Sequence, residues 1–183
     1  PALAGSIEAA EFNSPTLKRS WTYNVYLPTG YDSSPNVRYP VMYLLHGNDG
    51  ARNDWAVKGK MQKTVDTLVA NGDIPPAIYV MPDANTNWYV DLKEKMETAF
   101  LQDLMPHVEK TYRTINSRDG RVIGGLSMGG YGALLLGARL GPVFGAGGAT
   151  SLVGDARLGV DALRPRLHRR RGQPGEQAGQ AAR

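Results

Sequence analysis

The stretch GGLSMGGYGALLL, residues 124–136, restricts the fold of this chain more than any other, because it carries no charge and places Ser127 between two pairs of glycines. The segment RVIG before it is typical of a strand, and YGALLLGARL after it is typical of a helix. The chain must therefore turn from a strand into a helix within a few residues around Ser127. Glycines are expected where two such elements approach each other closely, because they carry no side chain.

Residues 125–129 fit the pattern G-x-S-x-G, the nucleophile elbow. In this turn a strained backbone presents the serine hydroxyl at the end of a sheet, and the next backbone N–H points at the reacting carbonyl. The positive end of the helix lies where an oxyanion would develop. The alternative interpretation is that the glycines only let the strand and the helix pack closely, and that the serine between them has no catalytic role. The flanking strand and helix favour Ser127 as a nucleophile over that alternative.

The remaining hydrophobic pattern predicts strands that alternate with helices. Residues 6–12 and 19–28 alternate in polarity as antiparallel strands do, whereas residues 41–47 and 75–83 are continuous apolar runs typical of buried parallel strands. Further helices are predicted around residues 61–69, 93–111 and 128–140, and further strands at residues 121–126 and 143–153. Pro106 is expected to kink the second helix. This order indicates an α/β fold, with a mainly parallel sheet and helices on both faces.

The composition indicates one globular domain followed by a tail. Of the 183 residues, 42% are hydrophobic and 21% are charged, which is typical of a globular protein. After about residue 152 the strand pattern ends, and Gly, Pro, Gln, Arg and Ala dominate. We therefore expect a domain at residues 1–152 and a basic, low-complexity tail at residues 153–183. From residue 157 onward seven arginines oppose two acidic residues, so the net charge of +4 belongs to the tail.

Several classes of function are disfavoured by what the sequence lacks. No aromatic residue follows Phe144, so the basic tail lacks the aromatic-interleaved pattern of a nucleic-acid-binding face. No run approaches the ~18 apolar residues of a membrane-spanning helix. The absence of cysteine excludes disulfides, thiolate metal sites and a cysteine nucleophile. We expect neither a nucleic-acid nor a membrane partner, and the sequence is compatible with both a cytoplasmic and a secreted location.

A second motif, LLHGN at residues 44–48, lies at the end of the first buried run. Hydrolases with a nucleophile elbow take their other oxyanion donor from the loop after such a strand. A glycine there, Gly47, would let the backbone N–H approach a substrate. The alternative is an ordinary turn that ends the strand. The presence of both motifs in one chain favours the oxyanion interpretation.

Four segments together resemble a known family. They are LLHGNDGARNDW, VMPDANTNWYV, FLQDLMPHVEKTYRT and RVIGGLSMGGYGALLL, and they occur in the family's order. They resemble the putative-esterase family of α/β-hydrolases, which includes esterase D, feruloyl and acetyl-xylan esterases, and mycolyltransferases of the antigen 85 type. The resemblance covers about residues 6–152, and it predicts that the C-terminal part of the fold is shortened or altered.

This resemblance implies an α/β-hydrolase-like fold and acyl transfer through an acyl-enzyme on Ser127. It implies that the backbone N–H groups of Asn48 and Met128 form the oxyanion hole. It also places Trp88 and Tyr89 beside the site for the acyl or alcohol group. No metal or organic cofactor is expected, since this chemistry needs none and no His, Cys and Asp cluster has metal-ligand spacing.

A serine nucleophile needs a base, and the chain has three histidines. We expect His46 to support the oxyanion loop and His107 to be a surface or core residue of a helix. His168 alone follows the elbow, so only it fits the order serine, acid, histidine, with Asp155 as the acid and Asp161 as a weaker option. The cations around His168 argue against this triad, because they would repel a protonated imidazole.

The sequence thus predicts a small serine esterase that cleaves short-chain carboxylic esters. A rival prediction is a non-catalytic fold that keeps the elbow but lacks a base. Such a fold would bind esters weakly or form a homodimer through an exposed strand edge. A third prediction is acyl transfer to an alcohol or sugar, because hydrolysis and transfer would use the same residues.

Overall fold

The computed structural model describes residues 4–150, which form a six-stranded sheet flanked by helices. The strands are β1 (Ser6–Ser14), β2 (Arg19–Leu27), β3 (Val41–Leu45), β4 (Ile78–Pro82), β5 (Arg121–Leu126) and β6 (Ala146–Thr150). The helices are α1 (Asp54–Val57), α2 (Met61–Ala70), α3 (Met96–Ala99), α4 (Met105–Thr111) and α5 (Met128–Arg139). A π-helical turn (Phe100–Leu104) joins α3 to α4, and a 3-10 turn (Arg118–Gly120) precedes β5.

The sheet has the strand order β1-β2-β4-β3-β5-β6. β1 and β2 form an antiparallel hairpin, and β2 is antiparallel to β4. β3 lies between β4 and β5 and runs parallel to both, and β6 is parallel to β5. The prediction of a mainly parallel sheet that begins with an antiparallel hairpin is confirmed. No helix within residues 4–150 is long and apolar enough to cross a membrane.

Both faces of the sheet are covered, because the central strands carry apolar side chains in both directions. On one face Tyr43 and Leu45 of β3 pack in a cluster with residues of α3, α4 and α5. On the other face Met42 and Leu44 pack with residues of α2. Tyr26 of β2 belongs to this second cluster, so β2 also buries side chains on both faces. The prediction of helices on both faces is confirmed.

The helix predicted over residues 93–111 begins at Met96 and is irregular in its middle. Its hydrogen-bond pattern widens over the π-helical turn before α4 begins at Met105. Pro106, where the sequence predicts a kink, is the second residue of α4 and follows Met105, whose N–H donates to the carbonyl of Phe100 five residues earlier. The helix continues through this point, so Pro106 lacks an N–H for which the preceding turn has an acceptor. The irregularity therefore lies in the residues before the proline.

His107 joins α4 to the antiparallel hairpin. Its ring stacks on Phe12 of β1, with 4.2 Å between ring centroids and 8° between ring planes. Its Nε2 lies 3.0 Å from the hydroxyl oxygen of Tyr23 in β2. Burial, and secondarily the positive charge of Lys110, lowers the pKa of His107 below its ordinary value. His107 is thus a packing residue of its helix, in agreement with the sequence analysis.

The lowered pKa of His107 predicts how the stability of the fold depends on pH. An unfolded chain takes up a proton on this histidine near its ordinary pKa of about 6.5, whereas the folded chain resists protonation. The contribution to stability is therefore present above about pH 6.5 and is lost as the pH falls below it. We expect the free energy of unfolding, measured by urea denaturation between about pH 7.5 and 5.5, to fall less steeply in His107→Gln than in the original chain. Equal slopes would contradict this account.

Candidate active site

Ser127 lies between the last residue of β5 and the first residue of α5. Its backbone has φ 53° and ψ −115°, a conformation that residues with side chains rarely adopt. The strand and the helix predicted on either side are both present, so the serine sits on a sharp strand-to-helix turn. The N–H of Tyr131 donates to the carbonyl of Ser127 at 3.0 Å, which closes the first turn of the helix. The N–H groups of residues 128–130 therefore have no acceptor within α5.

The glycines of the motif are required by the close approach of α5 to the sheet. A Cβ atom added to Gly129 would overlap the carbonyl of Leu45 in β3 and would lie 2.6 Å from the carbonyl oxygen of His46. A Cβ atom added to Gly125 would overlap the carbonyl of Gly129. The start of the helix thus rests directly on the ends of β3 and β5. This backbone contact fixes the position of Ser127.

The loop after β3 lies beside the serine, because β3 and β5 are neighbouring parallel strands and their carboxyl ends lie side by side. A Cβ atom on Gly47 would lie 3.5 Å from both the Cβ atom of Ser127 and the carbonyl oxygen of Leu126. Asn48 follows Gly47 and Met128 follows Ser127, so the segments that carry the two expected oxyanion donors adjoin. Three of the predicted site residues, Asn48, Ser127 and Met128, therefore lie together at the carboxyl ends of β3 and β5.

His46 is buried beneath this loop, and both of its ring nitrogens are engaged. Its Nδ1 donates to the carbonyl oxygen of Gly47 at 2.7 Å, and its Nε2 accepts from the backbone N–H of Ala84 at 2.9 Å. Asp83 Oδ1 lies 3.5 Å from the same Nε2. These hydrogen bonds hold the loop after β3 against the loop after β4. His46 therefore supports the loop after β3 and has no free nitrogen for Ser127.

Tyr89 is fully buried and acts on the same loop. Its hydroxyl donates to the carbonyl oxygen of His46 at 3.2 Å. Its ring packs against Gly132 of α5, where an added Cβ would lie 2.8 Å from the Cβ of Tyr89. Burial is the main cause of its raised pKa. These contacts favour a structural role for Tyr89 in place of the predicted contact with substrate, because a side chain without exposed surface does not meet a ligand in this conformation.

Trp88, the other residue expected beside the substrate, is exposed over 44% of its surface. Its ring meets that of Tyr131 edge to face, with 5.8 Å between centroids and 74° between planes. Tyr131 is also largely exposed and lies one helical turn beyond Ser127. The two rings form an exposed aromatic surface next to the elbow. Sequence reasoning missed Tyr131, although its place four residues after the serine, the spacing of one helical turn, is a signal for it.

A base for Ser127 is not found within residues 4–150. His46 is engaged as described, and His107 contacts β1 and β2, which β4 and β3 separate from β5. Three predicted residues and the predicted tail lie outside the described residues, namely Asp155, Asp161, His168 and residues 153–183. Within the part of the chain that the structure describes, no three His, Cys, Asp or Glu side chains are grouped so that they could hold a metal ion.

Comparisons with known proteins agree with this geometry. The model of the "Putative esterase" family matches residues 14–158. The chain belongs to this family. Over 159 residues, 80% of the chain, it is 35% identical to an endo-1,4-beta-xylanase/feruloyl esterase of Xylanibacter ruminicola. Over 126 residues, 63% of the chain, it is 36% identical to esterase Rv1288 of Mycobacterium tuberculosis.

Solved structures of esterases share the fold. A ferulic acid esterase matches with a TM-score of 0.73 and 34% identity, over 78% of this chain and 56% of that one. A serine-to-alanine mutant of the feruloyl esterase module from Clostridium thermocellum, complexed with sinapinate, matches with a TM-score of 0.67 and 28% identity, over 77% and 52%. The fold is therefore α/β-hydrolase-like, as predicted. The chain spans about half the length of these two structures, and 22% and 25% of the two curated relatives.

The backbone contact of α5 predicts opposite effects for two glycine substitutions in the same helix. Gly129→Ala is expected to lower the free energy of unfolding by at least about 2 kcal/mol, because the new methyl group overlaps backbone atoms that cannot move aside. Gly137→Ala is the matched control. The nearest atom to its Cβ is 3.9 Å away, so it is expected to gain up to about 1 kcal/mol of helix propensity. Urea denaturation followed by circular dichroism checks both, and equal stability of the two variants would contradict the account.

The backbone angles of Ser127 predict that its replacement by glycine and its replacement by alanine differ in their effect on stability. Glycine adopts φ 53° and ψ −115° without the strain of roughly 1–3 kcal/mol that other residues carry. Glycine also loses more entropy on folding, by roughly 0.5–1 kcal/mol. We therefore expect Ser127→Gly to be about 1 kcal/mol more stable than Ser127→Ala in thermal or urea unfolding. A less stable glycine variant would show that the backbone at Ser127 is not strained.

Proposed function

We propose that the protein to which this chain belongs is a serine esterase that hydrolyses carboxylic esters. The observation that carries the proposal is the geometry of Ser127, held at φ 53° between β5 and α5 with the loop after β3 beside it. Membership of the "Putative esterase" family supports the same reaction.

In the proposed reaction the hydroxyl oxygen of Ser127 attacks the carbonyl carbon of the ester while a base takes its proton. The negative charge that develops on the carbonyl oxygen is stabilised by the backbone N–H groups of Met128 and Asn48 and by the positive end of α5. The N–H of Met128 is suited to this role because it has no acceptor within the helix. The base then protonates the leaving alcohol, and a water molecule releases the acid from the acyl-enzyme by the same route.

We propose His168 as the base and Asp155 as the residue that orients it. The support is chain order together with the engagement of the other two histidines. His46 uses both ring nitrogens to hold the loops after β3 and β4. His107 contacts the hairpin β1–β2, which β4 and β3 separate from β5 in the sheet.

The proposed substrates are esters of short-chain acids. A second class, esters of an aromatic acid, is favoured by a specific observation: Tyr131 lies one helical turn from Ser127, and its exposed ring meets the exposed ring of Trp88. An aromatic acid stacks on such rings with offset or edge-to-face geometry. The names of the relatives, which include feruloyl esterases, support this second class.

Steady-state hydrolysis of p-nitrophenyl acetate, butyrate and octanoate, together with methyl ferulate, tests the proposal. Ser127→Ala is expected to lower kcat/KM at least about 10³-fold on every ester, because the nucleophile is lost. His168→Ala is expected to lower it about 10²–10⁴-fold, the usual contribution of a general base. Turnover of the original chain is expected to decline from butyrate to octanoate.

Ser33→Ala is the control. This exposed serine lies in the connection between β2 and β3, which leads into the amino end of β3, whereas Ser127 follows the carboxyl end of β5. The control variant is expected to hydrolyse every ester at the original rate. Hydrolysis that survives Ser127→Ala would contradict the proposed nucleophile. Hydrolysis that is lost in Ser127→Ala but intact in His168→Ala would keep the nucleophile and reject the proposed base.

A further inference from the structure

The segment that carries Trp88 has an unfavourable backbone. Asn85, Trp88 and Tyr89 have φ angles of 48°, 53° and 58°, in the left-handed region that favours glycine. This region is unfavourable for Trp and Tyr, whose Cβ atom lies too close to the following carbonyl oxygen, whereas asparagine tolerates it better. A segment with three residues in this region keeps its shape only if contacts with the rest of the fold hold it in place.

Glu94 supplies such a contact. Its Oε2 accepts a hydrogen bond of 2.7 Å from Nδ2 of Asn87, the residue directly before Trp88. Nδ2 of Asn87 also donates to the carbonyl oxygen of Ala84 at 3.2 Å, so this side chain stabilises the turn formed by residues 84–87. The carboxylate of Glu94 thus holds the turn that orients Trp88.

Glu94 is in turn fixed to the sheet. Arg19, the first residue of β2, donates to both carboxylate oxygens, from Nε to Oε1 at 2.8 Å and from Nη2 to Oε2 at 3.0 Å. This two-point contact is the strong form of an arginine–carboxylate pair, because it fixes orientation as well as distance. The hydrogen bond from Arg19 also lowers the pKa of Glu94, so the carboxylate stays charged. The chain of contacts therefore runs from β2 through Glu94 and Asn87 to Trp88.

The position of Trp88 matters because of what lies next to it. Its ring meets Tyr131 edge to face, and the N–H of Tyr131 donates to the carbonyl of Ser127. A shift of the segment would separate the two rings and remove the aromatic surface beside the elbow. Tyr89 is held separately, by its hydrogen bond to His46 and by its packing on α5.

We propose that Glu94 is a positioning residue that holds Trp88 against Tyr131 through Asn87 and Arg19, and thereby sets the affinity of the protein for esters of aromatic acids. The inference rests on the proposed function, of which it specifies one substrate class. Glu94 itself touches no reacting atom. Its removal is therefore expected to change the binding of the aromatic group and to leave the chemistry on a small acyl group unchanged.

The first test reads the position of Trp88 directly. The chain contains three tryptophans, Trp21, Trp55 and Trp88, so labelling with 5-fluorotryptophan gives three ¹⁹F NMR signals, and Trp88→Phe identifies the third. In Glu94→Gln the Trp88 signal is expected to move and broaden, while the signals of Trp21 and Trp55 stay in place. The carboxylate accepts three hydrogen bonds, two from Arg19 and one from Asn87, whereas the glutamine amide keeps one acceptor oxygen and turns an NH2 donor toward these donors.

The second test reads the consequence for binding. Ferulate is titrated into Ser127→Ala with and without Glu94→Gln, and KM for methyl ferulate is compared with KM for p-nitrophenyl acetate. The loss of a fixed Trp88 is expected to weaken ferulate binding and raise KM for methyl ferulate about three- to tenfold, the effect of ordering one side chain on binding. The kcat for methyl ferulate and both constants for the acetate are expected to stay within about twofold.

Glu97→Gln is the matched control. Its carboxylate pairs with Arg139 at the end of α5 at 3.0 Å, so the substitution removes an equivalent charge from a neighbouring ion pair. It is expected to leave the Trp88 signal and ferulate binding unchanged. If Glu94→Gln moves all three tryptophan signals, the fold itself is altered, and Asn87→Ala replaces it. That variant removes the hydrogen bonds of Asn87 to Glu94 and to Ala84 and leaves the Arg19–Glu94 pair intact, and it is expected to move the Trp88 signal alone.

Three results would overturn the inference. In the first, the Trp88 signal stays in place in Glu94→Gln or in Asn87→Ala. In the second, the signal moves while ferulate affinity is unchanged. In the third, Ser127→Ala with Glu94 in place does not bind ferulate. The last result concerns the aromatic substrate class only. Hydrolysis of p-nitrophenyl acetate that depends on Ser127 would still support the proposed esterase function.

Discussion

The contact between the start of α5 and the ends of β3 and β5 is the constraint on which the rest of the site depends. Gly125 and Gly129 allow backbone to lie directly on backbone there, at a separation that any side chain would prevent. The chain must then leave β5 and enter the helix within one residue. Ser127 occupies that residue and takes its strained angles as a result. The close approach therefore places Ser127 at the carboxyl end of β5. It also leaves the first N–H groups of α5 without acceptors in the helix, where the proposed oxyanion would form.

The loops around the elbow are fixed by a second layer of polar contacts, and these contacts join elements that are far apart in the sequence. His46 links the loop after β3 to Ala84 after β4, and Tyr89 links the same loop to α5. Glu94 connects the Trp88 segment to β2. These contacts act on backbone position, so they determine where the loop after β3 and the exposed rings of Trp88 and Tyr131 lie.

The sequence predicts those features that depend on local pattern. The elbow, the apolar runs of β3 and β4 and the antiparallel hairpin are visible because the spacing of glycines and apolar residues encodes them directly. The π-helical turn before Pro106 is not visible, because hydrophobic spacing does not distinguish it from a regular helix. The family resemblance places Tyr89 beside the substrate, and only the packing against Gly132 shows that it is buried.

The contacts of Glu94 illustrate the same limit. Glu94 lies 75 residues from Arg19 along the chain, and nothing in either local sequence indicates that the two side chains meet. Tertiary pairing of this kind follows from strand order and loop direction, which a local pattern does not contain. The same holds for His46: its place in the HG motif at the end of β3 indicates a supporting residue, but its partner Ala84 is evident only in the fold.

Covalent labelling reads the proposed reactivity of Ser127. A fluorophosphonate reacts with an activated serine, and mass spectrometry after tryptic digestion locates the adduct. We expect a single adduct on Ser127, within the peptide between Arg121 and Arg139. A folded chain that remains unlabelled, or that carries its adduct on another residue, would contradict this expectation.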